Sequence, residues 1–268
     1  MIVSIFNLRN LYKFNKSKRG IEMNNADLYI LEESIKLIES KVYRDYMELE
    51  NLQNSSKTVM FANMTLEFMR QKFYDFFRKK RPNYSLIIKD YTKYIVENSD
   101  STIYVNCISG IKNFSHAVPY FATILGIKKN DKFNVGLVNS YAEKQMFYSV
   151  SGEGSFVNRM KIRTSSRNNL NDSLIAIKYD NNRKIFNKII EKLPLFRINN
   201  CSILDTCSTA CGKYDCNIIL DGIKEELEIG ELFVRESGGL SYYLNEEKTN
   251  CIYSNSLILN EIKKMFNK

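Results

Sequence analysis

The chain has 268 residues, 44% of them hydrophobic and 26% charged. These values suit a folded domain with a sizeable core and exclude a disordered or low-complexity polymer. Its net charge of +9 admits an anionic partner such as nucleic acid, but the lysines are scattered and only Phe77–Pro82 ("FRKKRP") forms a tight cluster, so a solvated basic surface is the simpler reading.

Residues 1–22 are basic and reach their first acid only at Glu22, and Met23 opens a more regular stretch. This reads as a loosely attached, disordered N-terminal extension, with no signal-peptide pattern behind it. No run is long and apolar enough to span a bilayer, so no membrane insertion is expected. From Ala26, apolar residues at Leu28, Leu31, Ile35, Ile38 and Val42 predict one amphipathic helix. A second helix carries Leu66, Met69, Phe73, Phe76 and Phe77 and stops before Pro82. Strands follow at 85–90, 102–107, 120–127, 133–139 and 144–150, and Ser151–Asn158 ("SGEGSFVN") reads as a hairpin connection. The second half alternates. Strands are predicted at 173–179 and 215–220, with helices at 183–193, in "ILDTCSTACG" before Gly212, in "EELEIGELFVRESGG" before Gly238–Gly239, and at 259–266.

The six cysteines are Cys107, Cys201, Cys207, Cys211, Cys216 and Cys251. They form no CxxC pair, and the single histidine, His116, is distant in sequence, which argues against zinc and for reduced thiols in a cytoplasmic protein.

Several stretches together resemble the inositol monophosphatase family, in particular its bacterial SuhB-type branch. They are "ENLQNSSK" (50–57), "ISGIKNFSHAVPYFA" (108–122), "SGEGSFVN", "CSILDTCSTACGKYDCNI" (201–218) and "FVRESGG" (233–239). The resemblance runs from about Ala26 to Lys268. It implies an α+β fold, a five-layered αβαβα sandwich of the inositol monophosphatase / fructose bisphosphatase type. An N-terminal α+β half over 23–158 would carry the metal-site turn, and 159–268 would form a C-terminal α/β half. The resemblance also implies a homodimer and Mg²⁺-dependent hydrolysis of a phosphate monoester, with metal ions held by one Glu and three Asp and a Thr orienting the water.

The residues at those positions differ. The family's ligand Glu falls on Lys89, with Asp90 one place along and so on the opposite side of a strand. The two Asp of its turn fall on Asn106 and Ser109, and its Thr on Ile111. Its last Asp falls on Glu226 counted back from Gly239, or nearer Leu227 counted forward from Gly222, and an earlier acidic position falls on Thr65. Only Asp90, Asn106, the Ile108 carbonyl and Glu226 remain as residual metal ligands. With so few carboxylates the expectation is a pseudo-phosphatase, with no cofactor, and Mg²⁺ only if residual activity survives. Lys89, Lys112, Gly110, Ser202 and Asp221 are the candidates for holding a phosphorylated small molecule. The alternatives are an active phosphatase with an altered single-metal site, and an accessory factor binding a protein or RNA of the transcription machinery. His116 reads as structural, and Asp205 as a helix cap or an internal partner.

Overall fold

The computed structural model describes residues 25–53, 56–178, 183–193 and 195–266; the expected extension at 1–22 lies outside them. Helix α1 (Ala26–Lys36) starts at Asn25, whose Oδ1 accepts the backbone N–H groups of Asp27 and Leu28 at 3.0 and 3.1 Å. The single helix expected here is two, because the chain breaks at Leu37–Ile38 before α2 (Glu39–Asn51). Ile35, Ile38 and Val42 are all buried, so one apolar stripe runs unbroken across the joint and hides it from a periodicity argument. Helix α3 (Thr58–Lys80) buries Ala62, Thr65, Met69, Phe73 and Phe77, a spacing of three and four residues, and ends ahead of Pro82 as expected.

The first sheet has eight strands: β1 (Ser85–Ile88), β2 (Thr92–Tyr94), β3 (Ser101–Ser109), β4 (Ala122–Lys129), β5 (Lys132–Ser140), β6 (Gln145–Val150), β7 (Gly154–Val157) and β8 (Met160–Lys161). Their order is β2-β1-β3-β4-β5-β6-β7-β8, antiparallel except for the β1–β3 pair. A short helix α4 (Ile111–Ser115) follows β3. The second sheet contains β9 (Ile175–Lys178), β10 (Phe196–Arg197), β11 (Cys216–Ile219), β12 (Leu240–Tyr243) and β13 (Cys251–Ser254) in the order β10-β9-β11-β13-β12. Helices α5 (Arg183–Ile190), α6 (Ser202–Ala210), α7 (Lys224–Glu236) and α8 (Leu259–Lys264) complete the described chain.

The layers follow from the faces. On β3, Ile103, Val105 and Cys107 join the core with α1–α3, while the alternate Tyr104 joins the core with α6 and α7. Helix α7 is buried on two sides. Ile229, Leu232 and Phe233 face the first sheet, and Leu227 and Val234 face Ile219, Cys251 and Tyr253 of the second. Ile189, Ile258 and Ile262 cover the outer face of the second sheet. The result is helices, sheet, helices, sheet, helices: the five-layered α+β sandwich that the resemblance implied. Among the described residues no helix is long and apolar enough to cross a membrane.

Gly126 and Gly136 face each other across β4 and β5 where α7 crosses the sheet. A Cβ on Gly136 would sit 3.1 Å from both Ile229 Cγ2 and Phe233 Cε2. Two bare backbones let the helix lie close enough to place its first turn against β3. Gly136→Val is expected to cost about 1–3 kcal/mol of unfolding free energy, since overpacking here has no open space to relax into. Urea denaturation checks this, and a midpoint unchanged from the parent would show that α7 can shift without penalty.

Candidate functional site

The site lies at the carboxyl end of β3. Asn106 pairs with Ile124 and Ser109 with Ala122, so β3 carries one extra residue between them. That bulge lets two side chains three apart in sequence both face the α6–α7 layer. Gly110 then turns the chain into α4 at φ 81°, where a Cβ would lie 3.0 Å from the Tyr120 carbonyl oxygen. Asn113 fastens the turn by donating to the carbonyls of Tyr120 and Asn199, both at 2.8 Å.

Glu226, in the first turn of α7, meets β3 from above and is only 9% exposed. Its Oε1 accepts the Asn106 amide at 2.6 Å and the Tyr104 hydroxyl at 3.2 Å. Burial pushes the Glu226 carboxyl above its ordinary pKa, and the Asn106 amide, the Lys89 charge and the Tyr104 hydroxyl pull it partly back. Of the two residues at which the last family Asp was placed, Glu226 faces Asn106, while Leu227 is buried beside Ile219 and Tyr253. Lys89 follows β1, donating its backbone N–H to the Val105 carbonyl, and its ammonium binds Asp90 Oδ2 at 2.6 Å. That hydrogen bond holds the Asp90 carboxyl below its usual range. Asp90 itself sits at φ 55° with its side chain 68% exposed.

The structure therefore brings Lys89, Asn106 and Glu226 together and turns Asp90 outward. Ser109 is buried, with its carbonyl and hydroxyl oxygens 3.6 and 3.7 Å from Cys201 Sγ. Ile108 is in the core shared with α1–α3, and Ile111 packs against that core. Thr65 donates to Asp45 at 2.8 Å, and Asp45 is paired with Lys41, so these three form a separate cluster. Lys112 and His116 are exposed. The Ser202 carbonyl accepts from Thr206 and Asn217. Asp221 is exposed at φ 57°, and its backbone is held by Asn250 and Lys178.

Sequence reasoning did not single out Tyr104. Its signal was available, since Tyr104 lies two residues before Asn106 and therefore on the same strand face. Asp205 is an internal partner and not the cap. Cys201 occupies the cap position, and Asp205 accepts from Asn199 at 2.7 Å and Tyr120 at 2.8 Å. Its second oxygen, Oδ2, is buried without a partner, and burial raises its pKa to about 6.

These donors do not fit Mg²⁺, which needs several oxygen ligands. The one inward carboxylate already accepts two hydrogen bonds, the Asn106 nitrogen points into the site, and Lys89 adds a positive charge. Among the described residues no group of three or more His, Cys, Asp or Glu side chains could hold a metal ion.

Two sheets enclosing α6 and α7, with a bulged strand delivering side chains to the first turn of α7, define a layered α+β sandwich with its site between sheet and helix. The inositol monophosphatase family model matches residues 28–266, and the chain belongs to that family. Within it the chain falls with the SuhB-type branch. It is 27% identical over 206 residues to Nus factor SuhB of Buchnera aphidicola subsp. Baizongia pistaciae, covering 73% of this chain and 77% of that one. It is 24% identical over 248 residues to fructose-1,6-bisphosphatase/inositol-1-monophosphatase of Thermotoga maritima, covering 89% and 96%. The crystal structure of extragenic suppressor protein suhB from Bartonella henselae superposes with a TM-score of 0.81 at 21% identity, over 91% of this chain and 100% of that one.

The raised Asp205 pKa gives a signed pH prediction. A carboxyl that binds its proton more tightly when folded destabilises the fold as pH rises from its unfolded pKa toward about 6. The shift corresponds to a loss of about 3 kcal/mol across that range. Asp205→Asn keeps an acceptor for Tyr120 and Asn199 but cannot ionise. Denaturant midpoints at pH 4.5 and pH 7.5 should differ less in this variant than in the parent; an identical pH slope would place the ionisation cost elsewhere.

Proposed function

We propose that this protein is a SuhB-type pseudo-phosphatase that acts by binding a phosphorylated ligand or a protein partner, not by Mg²⁺-dependent hydrolysis. The observation that carries the reading is the closed hydrogen-bonded cluster of Glu226 with Asn106 and Tyr104, beside the Lys89 ammonium. Each carboxylate missing beside a divalent cation forfeits an attraction of about 4 kcal/mol per unit pair at close range, even at an effective dielectric of 20. The remaining frame, with Gly110 left-handed and Asn113 tying the turn, keeps the shape of the site without its charge. Lys89 and Lys112 are the cations placed to meet a phosphate group as point charges. We take the protein to be cytoplasmic, which its six free cysteines favour, and to form a homodimer as the family resemblance implies.

Calorimetric titration with Mg²⁺ is expected to show no saturable binding up to millimolar concentrations. Phosphate release from inositol monophosphate and fructose bisphosphate should stay at background. Lys89→Glu, Asn106→Asp, Ser109→Asp and Ile111→Thr combined should restore Mg²⁺ binding. Parent turnover that disappears in Glu226→Ala would overturn the reading and favour an active phosphatase using Asp90, Asn106, Ile108 and Glu226.

A second reading rests on the relatives named Nus factor SuhB. By analogy, the chain serves as an accessory factor of the transcription machinery, through protein or RNA contacts that need no metal. Co-purification with RNA polymerase that survives Lys89→Ala and Glu226→Gln is the expected outcome. Direct RNA contact would add a steep salt dependence.

A further inference from the structure

A cavity of about 410 Å³ lies between the α1–α2 joint and strands β5 and β6. Its volume is in the range of small-molecule sites. Tyr148 and Asn139 line it and are only 6% and 3% exposed. The Tyr148 hydroxyl forms no hydrogen bond, and Asn139 Nδ2 is buried with no partner in full hydrogen-bond geometry, its side chain reaching only toward the Tyr141 hydroxyl. Buried polar groups ordinarily find partners, so an under-satisfied buried amide beside an unbonded tyrosine hydroxyl, both lining one cavity, points to a ligand that completes them.

The walls give the sign of that ligand. Lys36, Lys144 and Arg159 stand against Glu32 and Glu39, and none of the five is in an ion pair. Lys144 instead lies over the Tyr43 ring, with its ammonium 5.4 Å from the centroid. Glu39 opens the 13-residue helix α2, which has no side-chain cap, so the positive end of its dipole adds to the cations. Tyr148 is stacked on Phe156 at 5.1 Å, which fixes its ring in the cavity wall.

We propose that this cavity is a second ligand site, taking a small, polar organic anion. Arg159 and Lys144 receive its phosphate or carboxylate. Tyr148 and Asn139 hydrogen-bond its hydroxyl or carbonyl groups. The site shares no residue with the Lys89–Asn106–Glu226 cluster, so it stands whether or not the loss of catalysis is upheld.

The test is calorimetry on the full chain with glycerol 3-phosphate, citrate and inorganic phosphate as probes. Glycerol 3-phosphate or citrate is expected to bind saturably and more tightly than inorganic phosphate. The first outcome identifies a phosphate site and the second a carboxylate site. Arg159→Glu should weaken the tighter probe at least tenfold, and the conservative Tyr148→Phe should weaken it several-fold. Absence of saturable binding by all three probes at millimolar concentration would overturn the proposal. So would binding abolished by Lys89→Ala but indifferent to Arg159→Glu.

Discussion

The burial of α7 between two sheets is the constraint on which the rest of this molecule depends. The helix has apolar residues on both sides, Ile229 and Phe233 toward one sheet and Leu227 and Val234 toward the other. It can approach closely because Gly126 and Gly136 are bare beneath it and because Gly230 allows Tyr253 and Thr206 to come within about 3 Å of where a Cβ would be. The Tyr253 hydroxyl then donates to the Leu227 carbonyl at 2.5 Å and pins the helix start. A helix held this firmly delivers its first-turn carboxylate, Glu226, to one place.

A carboxylate delivered to a buried place must find partners there. In a site built for cations, the cations would supply them. Here the strand does so, through Asn106 and Tyr104 on the face that alternation and the bulge turn toward α7. Lys89 contributes charge from the neighbouring strand while its own hydrogen bond goes to Asp90. The cluster is self-satisfied on the Glu226 oxygen it uses, and it forms a hydrogen-bonded joint between sheet and helix. Asp205 is the contrasting case. One oxygen is doubly bonded and the other has nothing, which leaves a buried carboxyl whose ionisation the fold tolerates poorly.

The amphipathic helices, the long strands and the order of elements were legible in the sequence, because apolar period reports burial directly. The family itself was legible too, from stretches such as 108–122 and 201–218 that the family model spans. Three things were not legible. The joint at Leu37–Ile38 left no mark, because a bend that keeps Ile35, Ile38 and Val42 on one buried stripe leaves the periodicity intact. Short edge strands such as β8 and β10 have two residues each and no period to read. The last ligand position hung between Glu226 and Leu227, because counting along a loop carries no information about which side of a helix faces a strand.

The amino-acid sequence by itself determined which chemical groups are present around the turn: the amide of Asn106, the hydroxyl of Ser109 and the ammonium of Lys89. That is a matter of composition at each position and needs no coordinates. Only the tertiary structure decided what those groups do with one another. It turned Asp90 outward, set Thr65 apart with Asp45, and closed Glu226 against Asn106 and Tyr104. Hydrogen bonds and charge pairing act over a few ångströms, and residues 120 apart in sequence come that close only after two sheets and the helices between them have packed.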